Sequence, residues 1–153
     1  MGKRLAKLLD VPFIDTDKTI VAEHGAITGI FAEQGEPRFR EIEAEHVARA
    51  LTQRAVVALG GGAVLHPASN AALRNQPVIL LTVTPEAVKS RIANGKRPLL
   101  AAGVDAWIEL VEARRPVYEQ LATRAFDTSH RPLDAIAGEI AEWITSEFPK
   151  DPQ

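Results

Sequence analysis

Apolar residues along the chain alternate between two spacings. Leu5, Leu8 and Leu9 recur at helical intervals, and Val11-Pro12-Phe13-Ile14 then reads as a short strand. Over 36–54, Phe39, Ile42, Val47, Ala50 and Leu51 mark a helix with one buried stripe. Residues 55–59 form an unbroken apolar run of strand length, stopped by Gly60-Gly61-Gly62; such runs suit strands buried on both faces of a parallel sheet. A helix is expected over 67–74 and a second fully apolar strand over 78–83. Thr84 and Pro85 suit the cap and first position of a further helix that ends near Asn94-Gly95. A long helix over 105–122, a weak strand at 125–127 and a last amphipathic helix through Trp143 and Ile144 complete the pattern. This alternation predicts an α/β fold, a parallel sheet with helices on both faces, in a single domain over 1–148 with a tail at 149–153.

Composition narrows the function. Eighteen Lys+Arg against twenty Asp+Glu leave a charge of −2, which argues against nucleic-acid or anionic-membrane binding through bulk charge. The absence of cysteine excludes disulfides, thiolate metal sites and cysteine nucleophiles. No apolar run approaches the ~18 residues of a membrane span, and the first residues lead into no signal-peptide core, so a cytoplasmic protein is expected.

In parallel sheets, ligands collect where the strands' carboxyl ends meet loops. Asp15-Thr16-Asp17 follows the first strand there. One carboxylate could hold Mg²⁺ through water while the other takes a hydroxyl proton; alternatively, Asp17 caps a helix beginning near Thr19. Gly60-Gly61-Gly62 either lets backbone approach a ligand or makes a tight turn. Arg40, Arg97, Arg114 and Arg115 form, with these groups, a set suited to phosphate and carboxylate chemistry, although a lone arginine usually just faces solvent. Pro116 is expected to disturb one turn of the helix that carries the last two. The histidines at 24, 46, 66 and 130 lack H-x-x-x-H or H-E-x-x-H spacing and read as surface or packing residues, without zinc. Trp107, Tyr118 and Trp143 fall in helical patterns as core or half-buried residues, and Ser69 and Ser129 lack a G-x-S-x-G context.

An ordered set of motifs carries a resemblance. Phe13-Ile14-Asp15-Thr16-Asp17, Ile30-Phe31, Gly35-Glu36-Pro37-Arg38-Phe39-Arg40-Glu41-Ile42-Glu43, Gly60-Gly61-Gly62-Ala63-Val64, Arg97-Pro98-Leu99-Leu100 and Arg114-Arg115-Pro116-Val117-Tyr118 together resemble the shikimate kinases over 2–144. The resemblance implies a P-loop fold of the nucleoside-monophosphate-kinase class, and transfer of the ATP γ-phosphate to the 3-hydroxyl of shikimate with Mg²⁺ in aromatic amino-acid biosynthesis. It implies that Asp17 orients or deprotonates the attacking hydroxyl and that Asp15 assists Mg²⁺. Arg40 and Arg114 would grip the substrate carboxylate, Gly61 would meet a ring hydroxyl through its backbone, and Phe31 and Phe39 would wall the pocket. Arg97 would close over the phosphates from a lid at 94–105, Arg91 and Arg131 would lie near the adenine, and residues 16–54 would form the substrate region of a monomer. A gluconate-type kinase and a non-catalytic shikimate-binding remnant are the alternatives.

One departure stands out. The family pattern opens with a strand and G-x-x-x-x-G-K-[ST], whereas this sequence begins inside the following helix and contains that motif nowhere; Arg4 stands where Ser or Thr would follow Gly2-Lys3. The shortfall is about 17 residues. A misplaced start is the expected cause. The chain as written is expected to be inactive and to fold poorly, with the apolar strands at 56–59 and 78–83 left unpaired along facing edges.

Overall fold

A computed structural model describes residues 1–93 and 103–149, which fall into two compact units. The first comprises 1–75 together with 137 onward, and the second 76–136. Helix α1 (Gly2–Leu9) leads into β1 (Phe13–Asp15), α2 (Thr16–His24), α3 (Ile27–Leu51), β2 (Val56–Ala58), a 3₁₀ turn at Ala63–Leu65 and α4 (Pro67–Leu73). The second unit holds β3 (Ile79–Thr82), α5 (Pro85–Ala93), α6 (Gly103–Leu121) and β4 (Arg124–Asp127). A last helix, α7 (Leu133–Glu147), begins in the second unit and continues in the first.

The strands form two parallel pairs. Phe13, Ile14 and Asp15 of β1 lie opposite Val56, Val57 and Ala58 of β2, and Ile79–Thr82 of β3 lies opposite Arg124–Asp127 of β4. Helices make both connections, as parallel pairing requires. The apolar runs do become strands, but they are not buried on both faces: β2 is half-buried throughout and Leu81 of β3 is 42% exposed. Among the described residues each strand has a single strand partner.

In the first unit, Ile20 of α2 packs with Ile30, Phe39 and Ile42 of α3 in a buried cluster that Ile27 joins from its margin. This clamp positions the site, because it fixes α2 against both halves of α3. The helix is not one rod. Gly35 interrupts it at φ 80° and ψ 165°, a conformation open to glycine, and Pro37 then falls in the first turn of the second half, where its missing N–H costs nothing. The pattern over 36–54 therefore locates the second half, whereas Ile27–Gln34 carries too weak a stripe to be read as helix. Helix α2 likewise starts at Thr16 rather than near Thr19. Helix α6 runs through Pro116 without a break, losing the bond to the Glu112 carbonyl.

Candidate active site

The register of β1 on β2 sets Asp15 opposite Ala58, so both strands deliver the chain to one end of the pair. There Thr16, fully buried, donates from Oγ1 to the Ala58 carbonyl at 3.2 Å and ties the start of α2 to the end of β2. The cap of α2 is Asp15, whose Oδ1 accepts from the Lys18 N–H at 3.2 Å. This corrects the reading in which Asp17 caps the helix. Asp17 sits in the first turn instead, with its carboxyl not engaged as a cap. Burial pushes that carboxyl above the usual carboxylate range, the negative charge of Asp15 adds to the shift, and Arg40 opposes it.

The glycine turn after β2 closes on the same groups. A Cβ at Gly60 would stand 3.1 Å from Asp17 Oδ1 and 3.3 Å from Glu43 Oε2, and a Cβ at Gly62 would overlap the Arg40 guanidinium. Backbone comes this close to charged side chains only because no Cβ is present. Exposed Gly61 lies between the two. Arg40 Nη1 donates to Glu43 Oε1 at 2.8 Å and Nη2 to Glu36 Oε1 at 3.4 Å, while its guanidinium carbon stands 5.3 Å from the Phe39 ring centre. Phe39 in turn contacts Phe31 with ring centres 4.7 Å apart; Phe39 is buried and Phe31 is 38% exposed. One end of the first unit thus holds the carboxylates of Asp15, Asp17, Glu36 and Glu43, a guanidinium, an exposed backbone turn and an aromatic wall.

Sequence reasoning gave Glu43 no role, although it is 2% exposed and holds Arg40. The signal was its place on the apolar stripe, beside Ile42 and three residues after an arginine, where a carboxylate must find a partner. As expected of surface and packing residues, His24 is exposed and His46 is buried; with Glu23 they come together where α2 ends beside α3.

The remaining expected residues belong to the second unit. Arg114 is half-buried on α6. Arg91 of α5 donates through Nη2 to the Thr128 carbonyl, on the loop that carries Arg131 after β4. Arg97, with residues 94–102 of the expected lid, lies outside the described residues.

The fold recurs in solved structures. A shikimate kinase from Acinetobacter baumannii in complex with shikimate matches with a TM-score of 0.83 at 29% identity, covering 97% of this chain and 87% of that one. The class is therefore that of the P-loop kinases of nucleoside-monophosphate-kinase type. The family model for shikimate kinase matches residues 1–145. The shikimate kinase of Corynebacterium efficiens is 40% identical over 144 residues, 92% of this chain and 85% of that protein. That of Streptomyces coelicolor is 44% identical over 140 residues, 89% of this chain and 82% of that protein. The chain belongs to the shikimate kinase family, whose members are ATP-dependent phosphotransferases. These relatives favour that family over the gluconate-type alternative.

Proposed function

We propose that this chain binds shikimate at the carboxyl end of the β1–β2 pair and presents its 3-hydroxyl to the ATP γ-phosphate. The observation that supports this most is the convergence of Asp17, Arg40 and Glu43 on a turn where glycines leave room for nothing but backbone. Arg40, steadied by Glu43 and by the Phe39 ring, grips the substrate carboxylate, the role that the family resemblance also gives to Arg114. Gly61 offers backbone to a ring hydroxyl, and Phe31 with Phe39 covers the apolar side of the ring. Asp17 takes the hydroxyl proton as the oxygen attacks phosphorus. A carboxyl raised by burial is a better base than an ordinary aspartate.

Asp15 and Asp17 repel each other, which is the charge pattern a divalent cation relieves. The residues present fit Mg²⁺ held through water by Asp15, and the ion would neutralise charge on the transferred phosphate. On the nucleotide side, Arg97 closes from the lid at 94–105 and neutralises charge that develops in transfer, while Arg91 and Arg131 flank the adenine. Residues 16–54 form the substrate region within one kinase domain over 1–148, acting as a monomer.

Because 1–153 contains no G-x-x-x-x-G-K-[ST], binding is a sharper readout than turnover, and negligible ATP turnover is expected of this chain. Calorimetric titration of the wild-type chain with shikimate should show one saturable site. Arg40→Ala should weaken it about 10–150-fold, the worth of a charge-assisted hydrogen bond. Absence of shikimate binding by a folded chain, or tighter binding of gluconate, would overturn the reading.

A further inference from the structure

We propose that Glu23, His24 and His46 form a binding site for a borderline divalent metal ion of the Zn²⁺ type, separate from the kinase centre. The argument begins with Thr19. Its hydroxyl donates to the Thr16 carbonyl at 2.9 Å, which uses its only hydrogen. The same oxygen lies 2.9 Å from His46 Nδ1 and must therefore accept from it. That contact assigns the proton of neutral His46 to Nδ1 and leaves Nε2 as a bare lone pair. The His46 side chain is 2% exposed, and Nε2 has no hydrogen-bond partner. It points instead at a carboxylate: Glu23 Oε2 is 3.3 Å away. Two acceptors facing each other at that distance repel unless a cation lies between them.

A metal ion serves with a third ligand already at hand. His24 Nε2 is 3.8 Å from the same Glu23 oxygen, and one ligand atom from each of the three residues lies within 4.8 Å of the others. Tetrahedral zinc with bonds of roughly 2.0–2.1 Å sets its ligand atoms roughly 3.3 Å apart, so the trio needs only a small closure around the ion. Both supporting contacts are in place. Thr19 orients the His46 ring, and Arg49 Nη1 holds Glu23 Oε1 at 2.6 Å, leaving Oε2 for the metal. The Arg49 charge opposes the cation, but its side chain is 58% exposed and screened by solvent. His24 and Glu23 are themselves partly exposed, so the ion has a path of entry, and water completes the fourth position.

Zn²⁺ titrated into the full chain by calorimetry should bind with one-to-one stoichiometry, and Co²⁺ should develop the ligand-field absorption of a tetrahedral nitrogen–oxygen site. His24→Asn and Glu23→Gln, both at exposed positions, should each weaken Zn²⁺ at least about 10-fold and abolish the Co²⁺ bands. Zn²⁺ should raise the melting temperature of the wild-type chain but not of the double variant. Equal Zn²⁺ affinity in wild type and both variants would overturn the site. So would absent saturable binding, or nitrogen-15 NMR showing His46 protonated on both ring nitrogens at neutral pH in the metal-free chain.

Discussion

The two strand pairs end in opposite ways. Past β1 and β2, charged groups crowd one another: Asp17 is raised by burial and by Asp15, and Arg40, bonded to Glu43 and Glu36, lies against a turn that admits no side chain. Past β3 and β4, polar groups satisfy one another. Asp127 accepts from the Ser129 backbone N–H at 2.9 Å and from the Ser129 hydroxyl, Ser129 Oγ accepts from the Thr84 N–H at 2.8 Å, and Thr128 Oγ1 donates to the Thr82 carbonyl at 2.9 Å. The Asp127 carboxyl is accordingly held below its usual range by the Ser129 hydrogen bonds. A carboxyl raised by burial marks the first end, and one lowered by its own hydrogen bonds marks the second. Position at a strand's carboxyl end is therefore not enough to assign chemistry; the state of the polar groups there decides it.

Four perturbations would break or sharpen this contrast. The largest effect belongs to Arg40→Ala, which takes the guanidinium from a Glu43 that is 2% exposed. Breaking a buried pair costs about 3–5 kcal/mol, and the 18% exposure of Arg40 places the loss at about 2–4 kcal/mol in urea unfolding. A loss below about 1 kcal/mol would show that Glu43 is held chiefly by other groups. Gly62→Ala should follow, because its Cβ displaces the guanidinium while the charge remains. Shikimate affinity should fall about 10-fold or more, and unchanged affinity would mean that Arg40 finds another route to the ligand.

Ser129→Ala should cost about 1–2 kcal/mol, since the Thr84 N–H loses its acceptor, yet leave shikimate affinity unchanged. Altered affinity would erase the distinction between the two ends. The smallest effect is in the pH profile. A raised carboxyl binds its proton more tightly when folded, so Asp17 lowers stability as pH rises from its unfolded value through its folded one. A depressed carboxyl does the reverse, so the Asp127 contribution is present above the unfolded value and is lost as pH falls through the folded one. At neutral pH, Asp17→Asn should therefore stabilise the chain slightly and Asp127→Asn destabilise it. Unfolding midpoints that shift in the same direction would contradict the contrast.

Much of the fold was legible because its elements announce themselves locally. The apolar runs at 55–59 and 78–83 did become β2 and β3, and Thr84 caps α5 by accepting from the Ala87 N–H at 3.3 Å. What escaped depended on tertiary contact. The first half of α3 has no strong stripe and is fixed by Ile30 meeting Ile20, Phe39 and Ile42. Asp15 and Asp17 were both expected at the site, but which one caps α2 follows from where β1 stops, a boundary that pattern alone does not set. The cluster of Glu23, His24 and His46 was invisible for a plainer reason: His46 is distant in sequence from Glu23 and His24, and packing of α2 on α3 joins them.

The break at Gly35 also bears on how such a protein can diverge. A straight helix of 25 residues would link every change along its length to one rigid axis. Here the arm before the bend carries Phe31, at the outer margin of the aromatic wall, while the arm after it carries Phe39, Arg40, Glu43 and His46. In the proposed site, substitutions over 27–34 would re-aim the rim while the charge-bearing arm keeps its register. Inherited variation in what that rim admits would thereby be separated from variation in how the second arm holds charge, and selection could act on the one without dismantling the other.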